Sequence, residues 1–273
     1  MGTLPDCEGR ASSPPWTGIR SLLFAVGGAI SSGGVVFSLL SAMLGASLSR
    51  SLSYLTLSLG IGIILLALST ARVYLEDSYI LVKGRLLPTE RYQLSSLVEF
   101  IDLTSVKWFV ALRRIPGLLM STASNLMATT AAFLWAYLKA LPPTLAVIGA
   151  VLSGICFVSL EISVLISPSL GRNQLDNRFI GISSLATLIM GISVLVQGFP
   201  GNSLERMATA GSMTGVGLAG MINALLSRSS TWGRVFRLRF SGGRLIYVSL
   251  PSLDDAISFK RTVMEAIKNA ETS

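Results

Sequence analysis

Residues 234–250, RVFRLRFSGGRLIYVSL, predict a β-hairpin in a chain that is otherwise very apolar. Three apolar residues, Phe236, Leu238 and Phe240, alternate with arginines, and this period of two is typical of a strand with one buried face. The glycines at 242–243 supply a tight turn into a second β-rich run. A small β-structure with a charged face is therefore expected near the end of the chain.

A helix is predicted directly after this hairpin. Ser252 follows Pro251 and is the candidate N-cap, and Asp255 lies three residues on as its capping-box partner. Apolar residues then recur at intervals of three and four, as on one helix face: Leu253, Ala256, Ile257, Val263, Met264 and Ile267. We expect this face to dock on an apolar surface of the protein, and the alternative is a helix that lies on a membrane surface.

A second charged, β-rich stretch occupies residues 72–117. The run 79–83 ends at Gly84 and residues 97–103 alternate in polarity, so three to five strands are expected. Neither this insert nor residues 228–273 is large enough to bury a stable core alone. We therefore expect the two segments to associate into one β-rich domain capped by the C-terminal helix.

The rest of the chain has the composition of a polytopic membrane protein. Hydrophobic residues make up 51% of the sequence and charged residues only 13%. Six apolar runs are long enough to cross a bilayer: 20–45, 52–71, 118–138, 144–167, 179–199 and 206–227. This divides the chain into a disordered cytosolic tail (1–19), two transmembrane helices (20–71), the insert (72–117), four more transmembrane helices (118–227) and the C-terminal segment (228–273).

The distribution of basic residues predicts the orientation. Of 22 lysines and arginines, 19 fall in segments that become cytosolic when the N-terminus is inside. This pattern indicates a multi-pass protein of the cell membrane with both termini in the cytosol. It also accounts for the net charge of +8 without nucleic-acid binding, because the insert itself is nearly balanced in charge.

A family resemblance follows from the two charged stretches. Residues 74–86, YLEDSYILVKGRL, followed by 92–97, YQLSSL, resemble the opening strands of bacterial pleckstrin-homology-like (PH-like) domains. Residues 234–267 look like the closing strands and terminal helix of the same fold. The resemblance covers about a third of the chain, and this sequence departs from the family by placing four predicted spans inside the domain. It implies a seven-stranded, partly open barrel with a capping helix, and a scaffolding or binding role without catalysis.

No catalytic, metal or cofactor site is predicted. The chain has no histidine, which removes histidine metal sites and the Ser-His and Cys-His nucleophile systems. We expect a non-enzymatic protein that binds membrane lipids, or a protein partner through the cytosolic domain. The oligomeric state stays open.

Glu161 is the only acidic side chain within a predicted span. Asn125 and Asn223 fall at a similar depth on two other spans, so the three residues form a candidate intramembrane polar cluster. One interpretation is a proton-coupled, ion-coupled or substrate site, which gives the alternative function of a small-solute transporter or permease subunit. The other is hydrogen bonding between helices.

Two further features are candidate contact sites. Gly211 and Gly215 form a G-x-x-x-G pair, which predicts close helix packing within the bundle or between two copies of the chain. Lys83 and Arg85 flank the first predicted strand turn, where they could contact anionic lipid headgroups. An exposed hairpin charge is the alternative for this basic pair.

Overall fold

The protein, seen in a computed structural model, consists of a helix bundle and a sheet domain. The structure describes residues 11–76, 79–84, 86–103, 113–161, 177–197, 203–226, 234–250 and 252–271.

Six long α-helices form the helix bundle within the described residues. They are α1 (Gly18–Met43), α2 (Leu48–Ser69), α3 (Pro116–Tyr137), α4 (Pro143–Glu161), α5 (Asn177–Val196) and α6 (Ser203–Leu226). Helix α1 packs against both α2 and α3, and α5 packs against α6. All of the apolar runs in the sequence therefore contain a helix.

Four of these helices are long and apolar enough to cross a membrane. They are α1, α2, α4 and the segment Phe179–Val196 of α5. Helices α3 and α6 have sufficient length, but α3 contains several Ser, Thr and Asn residues, and α6 begins with Glu205 and Arg206. The structure therefore gives four candidate spans, and the expected six spans stay a prediction.

The sheet domain contains seven strands in the described part of the chain and forms a curled, antiparallel half-barrel. Its strands lie in the order β4-β3-β2-β1-β7-β6-β5. They are β1 (Ser12–Ser13), β2 (Ala71–Glu76), β3 (Tyr79–Gly84), β4 (Glu90–Gln93), β5 (Leu97–Asp102), β6 (Arg234–Phe240) and β7 (Leu245–Leu250). The insert supplies four of them, the C-terminal segment supplies β6 and β7, and the N-terminal segment supplies β1.

The junction between insert and C-terminal segment is a ladder between β5 and β6. Phe100 lies opposite Leu238, and Asp102 lies opposite Phe236. The register shifts between Leu97 and Glu99, so the strict alternation expected along residues 97–103 is interrupted. As a result Val98 is exposed, because the bulge turns one extra side chain away from the core.

The expectation of a disordered tail over residues 1–19 is wrong for residues 11–19, and residues 1–10 lie outside the described part. Ser12 pairs with Arg72 on β2 and with Ser249 on β7, so β1 joins the two halves of the sheet. Trp16 is buried, and α1 begins at Gly18. Composition suggested disorder because the segment is short, polar and rich in proline, yet backbone pairing on both sides orders it.

The core of the sheet domain lies between the concave face of the sheet and the last helix, α7 (Leu253–Glu271). Phe236 stacks on Phe100 and also contacts the ring of Phe259 on α7. Ser252 accepts a hydrogen bond from the Asp255 backbone N–H at 3.0 Å, as expected of the N-cap. Gly242 and Gly243 adopt positive φ angles of 82° and 78°, which the tight hairpin turn requires.

Only part of the expected apolar face of α7 is buried. Ala256, Phe259 and Val263 pack into the sheet core. Leu253, Ile257 and Met264 are about half exposed, because they lie on the edge of the helix beside the core. The helix is thus a cap on the sheet.

The sheet domain is fixed to the bundle by a second apolar cluster. Trp16, Val235 and Tyr247 on the sheet side pack with Ile115 and Leu118 near the start of α3. The backbone of Trp16 lies so close to Gly117 that a Cβ at that position would approach the Trp16 carbonyl oxygen to 2.3 Å. The bundle and the sheet domain therefore share a packed, apolar junction.

Candidate functional site

A polar cluster lies where α1, α3 and α4 meet. Ser32 Oγ on α1 lies within hydrogen-bond distance of the Gly28 carbonyl oxygen, at 2.6 Å, and of Glu161 Oε2, at 2.8 Å. Asn125 Nδ2 on α3 donates to Glu161 Oε1 at 3.3 Å. Both carboxyl oxygens of Glu161 therefore contact donors from neighbouring helices.

A glycine on α1 makes room for this cluster. A Cβ at Gly28 would lie 2.8 Å from Asn125 Oδ1, so the Asn125 amide occupies the space that a larger residue would need. Ser124, next to Asn125, donates a hydrogen bond to the Ala25 carbonyl oxygen on α1 at 3.1 Å. These contacts hold α3 against α1 at the level of the polar cluster.

One acceptor in the cluster has no described partner. Asn125 is only 2% exposed, and its Oδ1 atom is buried without a hydrogen bond among the described residues. Leaving a buried acceptor unsatisfied costs about 1–3 kcal/mol. The cluster therefore retains capacity to accept one more hydrogen bond.

The structure brings together two of the three residues in the expected polar layer. Glu161 and Asn125 are in contact, whereas no described hydrogen bond joins Asn223 on α6 to Glu161. Asn223 is half-buried and has other interactions. Sequence reasoning missed Ser32, because a serine in an apolar run gives no signal by itself.

The close helix contact of α6 lies beside the expected G-x-x-x-G pair. A Cβ at Gly217 would lie 2.8 Å from the Ser184 carbonyl oxygen on α5, and Gly220 also packs on Ser184. A Cβ at Gly211 would lie 3.3 Å from the end of the Met43 side chain on α1, and no described atom lies within 4 Å of a Cβ at Gly215. Close packing within this chain is therefore not seen at Gly215, and packing of the pair between two copies of the chain stays a prediction.

Three cations occupy the outer face of strands β2, β3 and β4. Arg72 lies directly opposite Lys83, and Arg91 lies opposite Leu81, diagonal to Lys83. Their side chains point away from the core, since Val73, Val82 and Tyr92 are the neighbours that face it, and all three are exposed. We call Arg72, Lys83 and Arg91 the cationic face. No ion pair joins any of them to a described residue.

The cationic face lies near the end of the sheet that adjoins the bundle. Arg72 is three residues beyond Ser69, the last residue of α2, which is a separation of at most roughly 10 Å. Leu86, which follows β3 at the same end, is 80% exposed. Of the expected basic pair, Lys83 belongs to this face, and Arg85 lies outside the described residues.

An ion pair also joins the sheet domain to the bundle. Arg20, in the first turn of α1, donates to Glu90 Oε1 on β4 at 2.8 Å, and Tyr92 donates to the other oxygen. Partial burial alone would raise the pKa of Glu90. Hydrogen bonds from Tyr92 and Arg20, with the charges of Arg20 and Arg244, outweigh that effect and lower this pKa. Burial and the bond to Glu90 raise the pKa of Tyr92 well above its ordinary value.

The class that the fold defines is a helix-bundle protein with four helices able to cross a membrane and a curled, seven-stranded antiparallel sheet domain. Comparisons with protein-family models, with curated proteins and with solved structures found no match to this chain. Among the described residues, no group of three or more His, Cys, Asp or Glu side chains could hold a metal ion.

Proposed function

We propose that this protein is a non-enzymatic, multi-pass protein of the cell membrane whose cytosolic, PH-like sheet domain binds anionic lipid headgroups. The cationic face is the observation that carries the proposal. Cations directly opposite each other on neighbouring strands repel and lower the stability of a sheet. An anion that contacts Arg72 and Lys83 together removes this repulsion.

The position of the cationic face relative to the ends of the helices supports a lipid headgroup as the anion that it binds. If α1, α2 and the other helices span a bilayer, Arg72 and Lys83 lie just beyond the hydrocarbon, at headgroup level. Leu86 then reaches the interface from the same end of the sheet, where an exposed leucine gains apolar contact. The positive-inside distribution of Lys and Arg favours a cytosolic domain, and anionic lipids on that side attract basic residues.

The strand order and the C-terminal helix support the PH-like assignment. A seven-stranded, partly open barrel with one capping helix is what the family resemblance implies, and the sheet domain has seven described strands and α7. In this proposal the two predicted spans α3 and α6 complete a six-span bundle, with α1 and α2 inserted after β1 and α3–α6 inserted after β5.

Native mass spectrometry of the detergent-purified protein tests lipid binding. With equal phosphatidylglycerol and phosphatidylcholine, wild type is expected to retain the anionic lipid preferentially. The variant Arg72→Gln/Lys83→Gln/Arg91→Gln is expected to lose this preference. At about 1 kcal/mol per basic residue, affinity falls roughly 100-fold.

A matched variant controls for charge alone. Arg239, Lys260 and Arg261 are exposed and lie away from the cationic face, and replacing all three with Gln removes the same charge. This variant is expected to retain phosphatidylglycerol as wild type does. Equal loss in both variants would contradict a specific headgroup site, and no loss in either would contradict lipid binding by this face.

A second candidate function is small-solute transport, favoured by the contact of Glu161 with Ser32 and Asn125. A carboxyl group inside a bundle is costly and is common along ion and substrate pathways. Uptake by proteoliposomes of labelled solutes under a pH gradient tests it. Uptake that requires Glu161 supports transport, whereas a lack of uptake across solute classes contradicts it.

A further inference from the structure

The hydrogen bonds around Glu161 need one more proton than the described donors supply when Glu161 is ionised. Ser32 Oγ lies within hydrogen-bond distance of two oxygens, the Gly28 carbonyl oxygen at 2.6 Å and Glu161 Oε2 at 2.8 Å. A serine hydroxyl has a single proton, and neither a carbonyl group nor an ionised carboxylate can donate one. One hydroxyl proton cannot satisfy both contacts at once, so one of the two short contacts lacks a proton when Glu161 is ionised.

A proton on the Glu161 carboxyl completes this arrangement. The carboxyl O–H then faces Ser32 Oγ, and the Ser32 proton is free for the Gly28 carbonyl oxygen. Glu161 Oε1 keeps the bond donated by Asn125 Nδ2. The unpartnered Asn125 Oδ1 is also consistent with a neutral Glu161. It is a hydrogen-bond acceptor near the carboxyl group, and an acceptor does not stabilise a carboxylate as a cation would.

The charged residues of α1, α3, α4 and α6 do not neutralise Glu161 in the described structure. Helix α3 has no charged residue, and Glu161 is the only one on α4. Arg20, the only one on α1, lies 12 residues from Ser32, about 18 Å along the helix, and pairs with Glu90. On α6, the charged residues Glu205 and Arg206 lie in the first turn. The part of α6 that contacts Cys156 of α4 is at Gly220, near the opposite end of the helix.

We propose that Glu161 is a proton-binding site, in which the bound proton is held between Glu161 Oε2 and Ser32 Oγ. Binding converts the carboxylate and one proton from water into a neutral carboxylic acid, and release reverses this step. The Ser32 hydroxyl then donates either to Gly28 or to the carboxylate. Proton release therefore changes the hydrogen bonding that connects α1, α3 and α4. This proposal is independent of lipid binding, and it holds whether or not the protein transports a solute.

Infrared difference spectroscopy of the full-length protein in lipid nanodiscs tests the proposal. At neutral pH, wild type is expected to show the C=O stretching band of a protonated carboxyl group that is absent from Glu161→Gln. The control Glu76→Gln removes an exposed carboxylate on β2 and is expected to leave the band unchanged. The band is also expected to disappear reversibly as the pH is raised.

A second variant separates the site from a folding defect. Ser32→Ala removes the acceptor of the carboxyl proton, so the wild-type band is expected to move to higher wavenumber while Glu161 stays in place. This measurement does not require Glu161→Gln to fold. If wild type shows no protonated carboxyl band at neutral pH, or if neither Glu161→Gln nor Ser32→Ala alters it, the proposal is overturned. Lipid retention by Glu161→Gln is expected to match wild type, which distinguishes this outcome from a failure of the lipid proposal.

Discussion

The sheet domain and the helix bundle both bury large side chains, among them Phe236 and Tyr137, but they differ in how closely their elements approach and in what lies on their outer surfaces. In the sheet domain, large aromatic side chains such as Phe236, Tyr92 and Phe240 fill the interior. In the bundle, small residues let helix backbones approach, as at Gly217 against α5, while many large apolar side chains lie on the outside. Ile182, for example, is 70% exposed. The sheet domain thus depends on burying apolar area in its core, whereas the bundle combines a buried core with close helix packing and an apolar exterior.

The largest expected effect comes from the sheet core. Phe236→Ala removes a buried ring that stacks on Phe100 and contacts Phe259, and we expect a loss of about 3–5 kcal/mol in the free energy of unfolding of the sheet domain. Urea denaturation followed by limited proteolysis of residues 72–103 measures it. The control Phe179→Ala removes a ring that is 55% exposed on α5, and it is expected to leave the sheet domain unaffected. Equal effects of the two changes would contradict the contrast between the two cores.

The second-largest effect is expected on the stability of the helix bundle. Gly217→Val places a side chain 2.8 Å from the Ser184 carbonyl oxygen and the Leu188 backbone nitrogen, and we expect overpacking to cost about 1–3 kcal/mol. Thermal unfolding in detergent, monitored by circular dichroism of the helices, provides the measurement. Gly215→Val is the matched control, since no described atom lies within 4 Å of a Cβ at this position. A larger effect at position 215 would show that the G-x-x-x-G pair forms the contact after all.

A smaller effect is expected at the capping helix. Ser252→Ala removes the acceptor for the Asp255 backbone N–H, and an N-cap of this type contributes about 1 kcal/mol. The urea midpoint of the sheet domain is expected to fall accordingly. Ser258→Ala, inside the same helix, provides the comparison and is expected to change the midpoint little. An unchanged urea midpoint for Ser252→Ala would contradict a stabilising contribution from this cap.

The smallest effect is the pH dependence of the junction between the two regions. Because the pKa of Glu90 is lowered in the folded protein, the stabilisation by its ionised form is present above the pKa of the unfolded chain. It is lost as the pH falls through the lower, folded-state pKa. Wild type is therefore expected to lose more stability on acidification than Glu90→Gln. The control Glu76→Gln, at an exposed site, is expected to follow wild type, and parallel curves for all three proteins would contradict a contribution from the Arg20 ion pair.

Local sequence patterns predicted much of the sheet domain. The alternation in residues 236–240, the two glycines of the turn and the Ser252 cap are short-range signals, and each has the expected structure. The joining of the insert to the C-terminal segment followed from their small size. The strand at Ser12–Ser13 could not be predicted in this way, because two residues have no periodicity and their order comes from pairing with β2 and β7.

The polar cluster was predictable only in part. A glutamate in an apolar run is a strong signal, and equal depth linked Glu161 to Asn125. Depth along a helix does not give the rotation of that helix, so Asn223 was grouped with them although no described bond joins it to Glu161. The same uncertainty in rotation applies to α6, where the sequence marks the pair Gly211 and Gly215 and the close contact with α5 lies at Gly217 and Gly220. Ser32 became recognisable only once the fold brought its side chain to that of Glu161.

Disulfide cross-linking in intact membranes tests most directly whether segments separated by the bundle helices form one sheet. Glu99 on β5 lies opposite Arg239 on β6, and paired antiparallel residues have Cα atoms about 4.5–5.5 Å apart, within disulfide reach. In a chain with both native cysteines replaced by serine, Glu99→Cys with Arg239→Cys is expected to form a disulfide on mild oxidation. Glu76→Cys with Arg239→Cys, which places the cysteines on non-neighbouring strands, is expected to stay reduced. A reduced first pair, or equal cross-linking of both pairs, would contradict a single sheet.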